Sequence, residues 1–200
     1  MPIQPYILPA STEALPGEIT LTQFIQTILT GISGLPGPMV RPKWQVEPPK
    51  NPPSITTNWI AFGIDISSPD ANSYVWSNSG EGGLSVSSQR HEAVDIGCSI
   101  YGPEALEYFG LLRDGFQVPQ NLQALTAANM GFVEILPGRK IPDLVNERFY
   151  NRVETSIILR REVLRSYSVP TVLSSTGVIH VPVSGDEEYT LAWDTENEEN

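Results

Sequence analysis

Reactive side chains are scarce in this chain. Among 200 residues there is one cysteine, Cys98, and there are two histidines, His91 and His180. A single thiol excludes an internal disulfide and any multi-thiolate metal cage. Cys98 lies between apolar neighbours, which reads as a buried, inert thiol and not as a nucleophile. His91 stands beside Glu92 and near Asp95, which invites metal or acid–base chemistry. On a strand, however, His91 and Asp95 share a side while Glu92 points the other way, and no further ligand is near in sequence. Both histidines therefore read as ordinary strand residues, and no metal or cofactor is expected. Asp95 and Glu134 both fall on expected strands, as in a metal-dependent nuclease. Such a site also needs Glu-x-Lys, but Ile135 and Leu136 follow Glu134 and Lys140 is too far along. There is no Gly-x-x-x-x-Gly-Lys, Gly-x-Gly-x-x-Gly, Gly-x-Ser-x-Gly or His-Glu-x-x-His. No helix start follows Gly80-Glu81-Gly82-Gly83, so it reads as a flexible loop and not as a phosphate cradle.

Positive charge is also in short supply, with 12 basic residues against 23 acids and a net charge of −11. Binding to nucleic acid comes from cations neutralising phosphates, so the chain as a whole is a poor candidate for gripping it. The deficit is uneven. Seven acids and no base lie from Asp186 to Asn200, and without them 16 acids face 12 bases, leaving a body near −4. A solvated, flexible tail over 184–200 is the expectation, or else a charged fringe lining a passage. No apolar run reaches about eighteen residues, so no membrane span is expected. The start Met-Pro-Ile-Gln places no basic residue before an apolar run, unlike a secretory signal.

Glycine and proline are plentiful: 16 and 18 residues, 17% of the chain, against an ordinary share of about 12%. This favours a loop-rich α+β or mostly-β domain over a helical bundle, and 200 residues fit a single domain. The expected organisation is an extended leader over 1–19, a domain over 20–183 and the acidic tail.

The dominant feature is a long alternating strand from Arg148 to Val169. Phe149, Val153, Thr155, Ile157 and Leu159 fall on one face, with Arg148, Arg152, Glu154, Ser156 and Arg160 on the other. Adjacent charges at Arg160 and Arg161 interrupt the alternation, and a bulge there is the expected repair before Val163, Tyr167 and Val169. Twenty-odd residues far exceed the usual strand of about five or six, so such a strand extends beyond its own core to meet something else. Five of the 12 basic residues lie on it: Arg148, Arg152, Arg160, Arg161 and Arg165. They guard an exposed strand face, or match acids on a neighbouring copy.

Elsewhere, Thr20 and Gln23 have the form of a capping box for a helix with Leu21, Phe24, Ile25, Ile28, Leu29 and Ile32 on its apolar face, stopped at Gly34. Seven prolines between Pro36 and Pro53, with Trp44 among them, read as an irregular arm: a surface loop, or an anchor on a neighbouring subunit. Strands are expected over Asn58–Ile66, from Tyr74 to Trp76, over Arg90–Tyr101, Phe132–Leu136 and Val178–Val183, with Ser77–Gly83 a polar loop. Pro103 is placed to open a helix carrying Ala105, Leu106, Phe109 and Leu112. Pro119 opens a second helix with Leu122 and Leu125, ending near Gly131. Pro137–Lys140 is a turn, and Pro142–Val145 links into the long strand. Together these give an α+β domain, helices packed on one face of a mostly antiparallel sheet, with a long Pro-rich arm.

Arg41-Pro42-Lys43-Trp44, Asn58-Trp59-x-Ala61-Phe62-Gly63, Ser99-Ile100-Tyr101-Gly102-Pro103-x-Ala105, the N-terminal apolar helix and the late Arg-rich strand together resemble phage neck and tail terminator proteins over most of residues 15–183. The resemblance implies a structural virion protein, assembled in the host cytoplasm. It would form a hexameric ring that caps the tail tube, ends its polymerisation and meets the head connector, while DNA passes through the hole without specific binding. On that reading Trp44, Arg148, Arg152, Arg160 and Arg161 are expected at subunit interfaces, and Asp186, Glu187, Glu188 and Asp194 at the lumen or a ring edge. A head–tail adaptor, a tail-tube subunit, and an enzyme with a site around His91 and Asp95 remain as alternatives.

Overall fold

The computed structural model of the protein describes residues 6–13, 18–45, 54, 56–69, 72–80, 83–145, 147–169, 174–182 and 188–196, the last two segments as backbone only. In chain order the elements are β1 Ser11–Glu13, α1 Glu18–Ser33, β2 Val40–Pro42, β3 Trp59–Pro69, β4 Tyr74–Gly80, β5 Gly83–Tyr101, α2 Ala105–Gly115, α3 Gln123–Ala127, β6 Met130–Ile135, β7 Arg139–Lys140, β8 Asp143–Val145, β9 Arg148–Tyr150, β10 Arg152–Val169, β11 Ser174–Pro182 and β12 Glu188–Glu196. Among the described residues no helix is long and apolar enough to cross a membrane.

Two long antiparallel strands form the spine. β5 and β10 pair without interruption from Arg152↔Tyr101 to Val169↔Leu84. Each carries shorter strands on its outer edge. Along β5 lie β3 and then β4; along β10 lie β7, β6 and then β1. Parallel β2 extends the sheet beyond β3. The result is a mostly antiparallel eight-stranded sheet, with β8–β9 and β11–β12 as separate hairpins.

One sheet face makes the core. Val94, Ile96, Cys98 and Ile100 of β5 lie opposite Leu159, Ile157, Thr155 and Val153 of β10, and all eight are buried. Ile60 and Phe62 extend the layer. Leu21, Ile25, Ile28 and Leu29 of α1, Ala105, Phe109 and Leu112 of α2, and Leu125 of α3 join the same cluster. Each large apolar side chain taken out of water there contributes roughly 1.5–3 kcal/mol. The helices thus cover one face, as the alternation requires.

The sheet also corrects several expectations. No bulge occurs in β10 at Arg160–Arg161, because the second arginine is accommodated on the core side by an ion pair. Arg161 faces Glu92 across the ladder and donates Nε to its carboxylate, while Arg90 Nη2 reaches Glu92 at 3.3 Å. The register shift lies on the β6 side, between Ile158 and Leu159. The long strand starts at Arg152. Arg148–Tyr150 belongs to the β8–β9 hairpin, which replaces the expected link, and Phe149 is exposed where the alternation buries it. A second shift between Ile64 and Ile66 puts Ile66 opposite Asp95, off the row that carries Ile60 and Phe62.

α1 begins at Glu18, so Thr20 lies inside its first turn and is not the cap. Gly34 does end it, with φ +71°, its amide donating to Thr30 O at 2.9 Å. Pro103 precedes α2 instead of opening it. Asn58 caps that helix from 46 residues away, its Oδ1 accepting from the Glu104 amide at 3.0 Å and its Nδ2 donating to Glu104 Oε2 at 2.8 Å. α3 stops at Ala127, and Gly131 belongs to β6. The Pro-rich stretch forms a 3-10 turn over Gly37–Met39 and then β2, with Val40 fully buried, before reaching Trp44. Residues 46–53 of the expected arm lie outside the described residues. Ser77–Gly80 continues β4, and Gly83 already begins β5. The segment expected as a flexible acidic tail contains β12, paired with β11 from Ser174↔Glu196 to Pro182↔Glu188.

Candidate assembly surface

The face of the sheet away from the helices carries an ordered row across its strands. The Arg41 guanidinium lies 5.9 Å from the Trp59 ring centroid, and Trp59 stacks on Tyr101 at 4.3 Å. Arg152 lies opposite Tyr101 and pairs with Asp143 at 2.5 Å and Glu154 at 3.1 Å. Arg152 is therefore an internal brace that fixes the β8–β9 hairpin to the spine. That hairpin displays Leu144 and Phe149 as a cross-strand pair, both exposed. Phe149 was misplaced in the sequence because the break at Asn151 is invisible in the alternation.

Beside this row the sheet carries only small residues at Gly63, Gly97 and Ser156, which lie level across β3, β5 and β10. A groove of about 530 Å³ opens there, with Lys43 and Asp65 on one wall and Arg139 and Glu154 on the other. Trp44 follows Lys43 in the chain and lies over β3. A Cβ on Gly63 would sit 2.6 Å from Trp44 Cζ3, so the indole rests on the glycine. Trp44 is nevertheless 74% exposed, and its φ of 54° is a left-handed conformation that costs a bulky residue free energy. Lys43 Nζ lies 5.9 Å from the ring centroid.

Arg160 is exposed at a second, shallower groove of about 430 Å³ with His91, Asn129 and Glu162. Arg161 lies on the opposite face, committed to Glu92. Arg148 begins β9, level with Val145. Glu188 and Asp194 are backbone positions of β12, level with Pro182 and Thr176. Asp186 and Glu187 lie outside the described residues. The sequence therefore placed the arginines together, but the fold divides them among two sheet faces and a hairpin.

His91 and Asp95 are four residues apart on one strand, about 13 Å at the usual rise, and converge on nothing. Among the described residues no group of three or more His, Cys, Asp or Glu side chains is arranged to hold a metal ion. Cys98 is buried under the groove floor. Burial pushes its thiol up to about 12; Lys43 pulls it back slightly, and Asp65 and Asp95 add to the rise.

The surface offers extended backbone, exposed aromatics and fixed charge pairs, which are means of association. No curated protein matches the chain. Residues 20–186 match the family described as phage neck terminator protein, which covers all but the ends of the sequence. The chain belongs to the phage neck terminator family.

Proposed function

We propose that copies of this chain close into a ring at the phage neck, six copies by the family resemblance. The ring caps the tail tube, ends its polymerisation and joins it to the head connector, with DNA passing through the hole. The observation that carries this reading is a spine longer than its cover. Of the paired residues of β5 and β10, those from Arg152↔Tyr101 to Val163↔Arg90 include every buried one, and none from Leu164↔Gln89 onward is buried. A sheet extending about 20 Å past its core is a surface for a neighbour.

Trp44, Arg148 and Arg160 face the neighbouring copy in this reading, while Arg152 and Arg161 support it by holding the hairpin and the spine. Asp186, Glu187, Glu188 and Asp194 line the passage or a ring edge. Acidic groups there repel the DNA backbone and avoid the counterion-release attraction that would stall it. The tail-tube protein and the head connector or adaptor are the partners.

Native mass measurement with negative-stain imaging tests the reading. Single rings that stop tube growth when tube protein is added are the expected result. Long tubes formed by the chain alone would make it a tube subunit, and a single copy that ignores tube protein would end the proposal.

A further inference from the structure

The uncovered part of the sheet has the strand order β4–β5–β10–β1, and its two edges are unlike. One edge is β1, paired to Leu164–Ser166, from which residues 6–10 run on. The Ala10 amide still donates to Ser166 O at 2.7 Å, but Pro9 has no N–H to give. Continuing the register from Ser11↔Ser166 places Leu8 level with Val169, the last residue of β10, and Tyr6 beyond it. Tyr6 and Leu8 are 81% and 80% exposed. This edge thus continues into an exposed apolar segment, Tyr6 to Leu8, that pairs with no strand among the described residues.

The other edge is β4, which among the described strands pairs with β5 alone. Its sequence Tyr-Val-Trp-Ser-Asn-Ser-Gly has no charged residue and no proline. Tyr74 and Val75 are exposed, and the rings of Tyr74 and Trp76 stack at 5.3 Å. Free edges are normally blunted by lysine, proline or a bulge, and an unguarded one is a template for an incoming strand.

We propose that residues 6–10 of one copy add as a strand to the β4 edge of the next copy. The proposal rests on the ring reading and names its contact. Charge selects a second copy as the occupant. Two chains at −11 repel wherever their acids meet, but residues 1–12 and 72–80 carry no charged side chain, so these surfaces approach without that penalty. Position agrees. The donor leaves one edge of the four-stranded extension and the acceptor forms the other, so the contact is head to tail and repeats from copy to copy. Main-chain hydrogen bonds supply the affinity, and the alternating apolar side chains of the donor set its register.

The test uses full-length variants with charge placed on exposed positions. Ile7→Asp/Leu8→Asp spoils the donor and leaves β4 vacant; Val75→Lys spoils the acceptor, with Ser77→Lys as a second acceptor variant. Unchanged circular dichroism melts check each fold. A labelled peptide of residues 1–13 should bind the donor-spoiled chain and bind at least tenfold more weakly when Val75→Lys is added. Sedimentation should show that neither variant assembles alone and that the two mixed give a heterodimer. Absence of peptide binding overturns the proposal. Normal rings from Ile7→Asp/Leu8→Asp overturn it too, while leaving the ring reading intact. Peptide binding to the donor-spoiled chain, with native chains that associate through the same edge but never close into a ring, upholds the strand contact and ends the ring reading.

Discussion

Cys98 shows how a residue's position decides its chemistry. Its row, Val94 to Ile100, is buried against the helices, so the thiolate has no solvent to stabilise it and the thiol is held up to about 12. Folding therefore keeps a proton that the unfolded chain releases above its ordinary value of 9.0. Stability is unaffected at neutral pH and falls as pH rises from that value towards 12, by about 1.4 kcal/mol per unit. Urea melts between pH 8 and 10.5 should show a steeper loss for the native chain than for Cys98→Ala. Parallel slopes would mean that the thiol reaches water. The sequence disclosed this residue well, because apolar neighbours two apart on a strand bury what lies between them on the same face. Trp44 was less legible. Its exposure depends on Gly63 in another strand, and on a left-handed φ that no local pattern announces.

At the scale of elements, the spine was readable and its joints were not. Alternation marked the β10 core row, Val153 to Leu159, because one strand face must be buried. The same rule misread Arg160–Arg161 as a bulge, since the carboxylate that accepts Arg161 is on β5, 69 residues away. Local pattern likewise missed that Val40 would be buried inside a proline-rich run and that β4 would continue through Ser77–Gly80, because partner strands supply both. Glu92 is 5% exposed between Arg90 and Arg161 and holds the ladder in register where the helical cover ends. Glu92→Gln removes the charge and leaves two partly buried guanidinium groups without the carboxylate they share. A fully buried pair broken this way loses about 3–5 kcal/mol, and the solvent still reaching the arginines reduces that here to about 2 kcal/mol. Adding Arg161→Leu to Glu92→Leu should recover most of the loss, because an apolar pair continues the row from Leu159 to Val163. Urea midpoints check both, and a Glu92→Gln chain as stable as the native one would remove the ion pair from the account of the spine.

At the scale of the whole molecule, a neck protein is a component of the virion, and in the proposed ring its copies would have to meet despite their charge. Two opposed terms predict different responses to salt. Arginine–carboxylate contacts between copies weaken as ions screen them, whereas repulsion between chains at −11 is relieved. The second term is larger. The excess of acids is large, with seven of the net −11 in residues 186–200, whereas Arg152, Arg161 and Arg90 already have carboxylate partners within their own copy. Screening shortens the range of charge from about 10 Å at 0.1 M salt to about 3 Å at 1 M. Association of the full chain should therefore strengthen with salt over that range, measured by sedimentation. Removing residues 184–200 takes away seven acids and leaves a body near −4, so the shortened chain should assemble at lower salt and with a flatter dependence. Assembly that weakens with salt, and weakens less once the acids are gone, would make the C-terminal acids partners of the arginines and displace them from the passage.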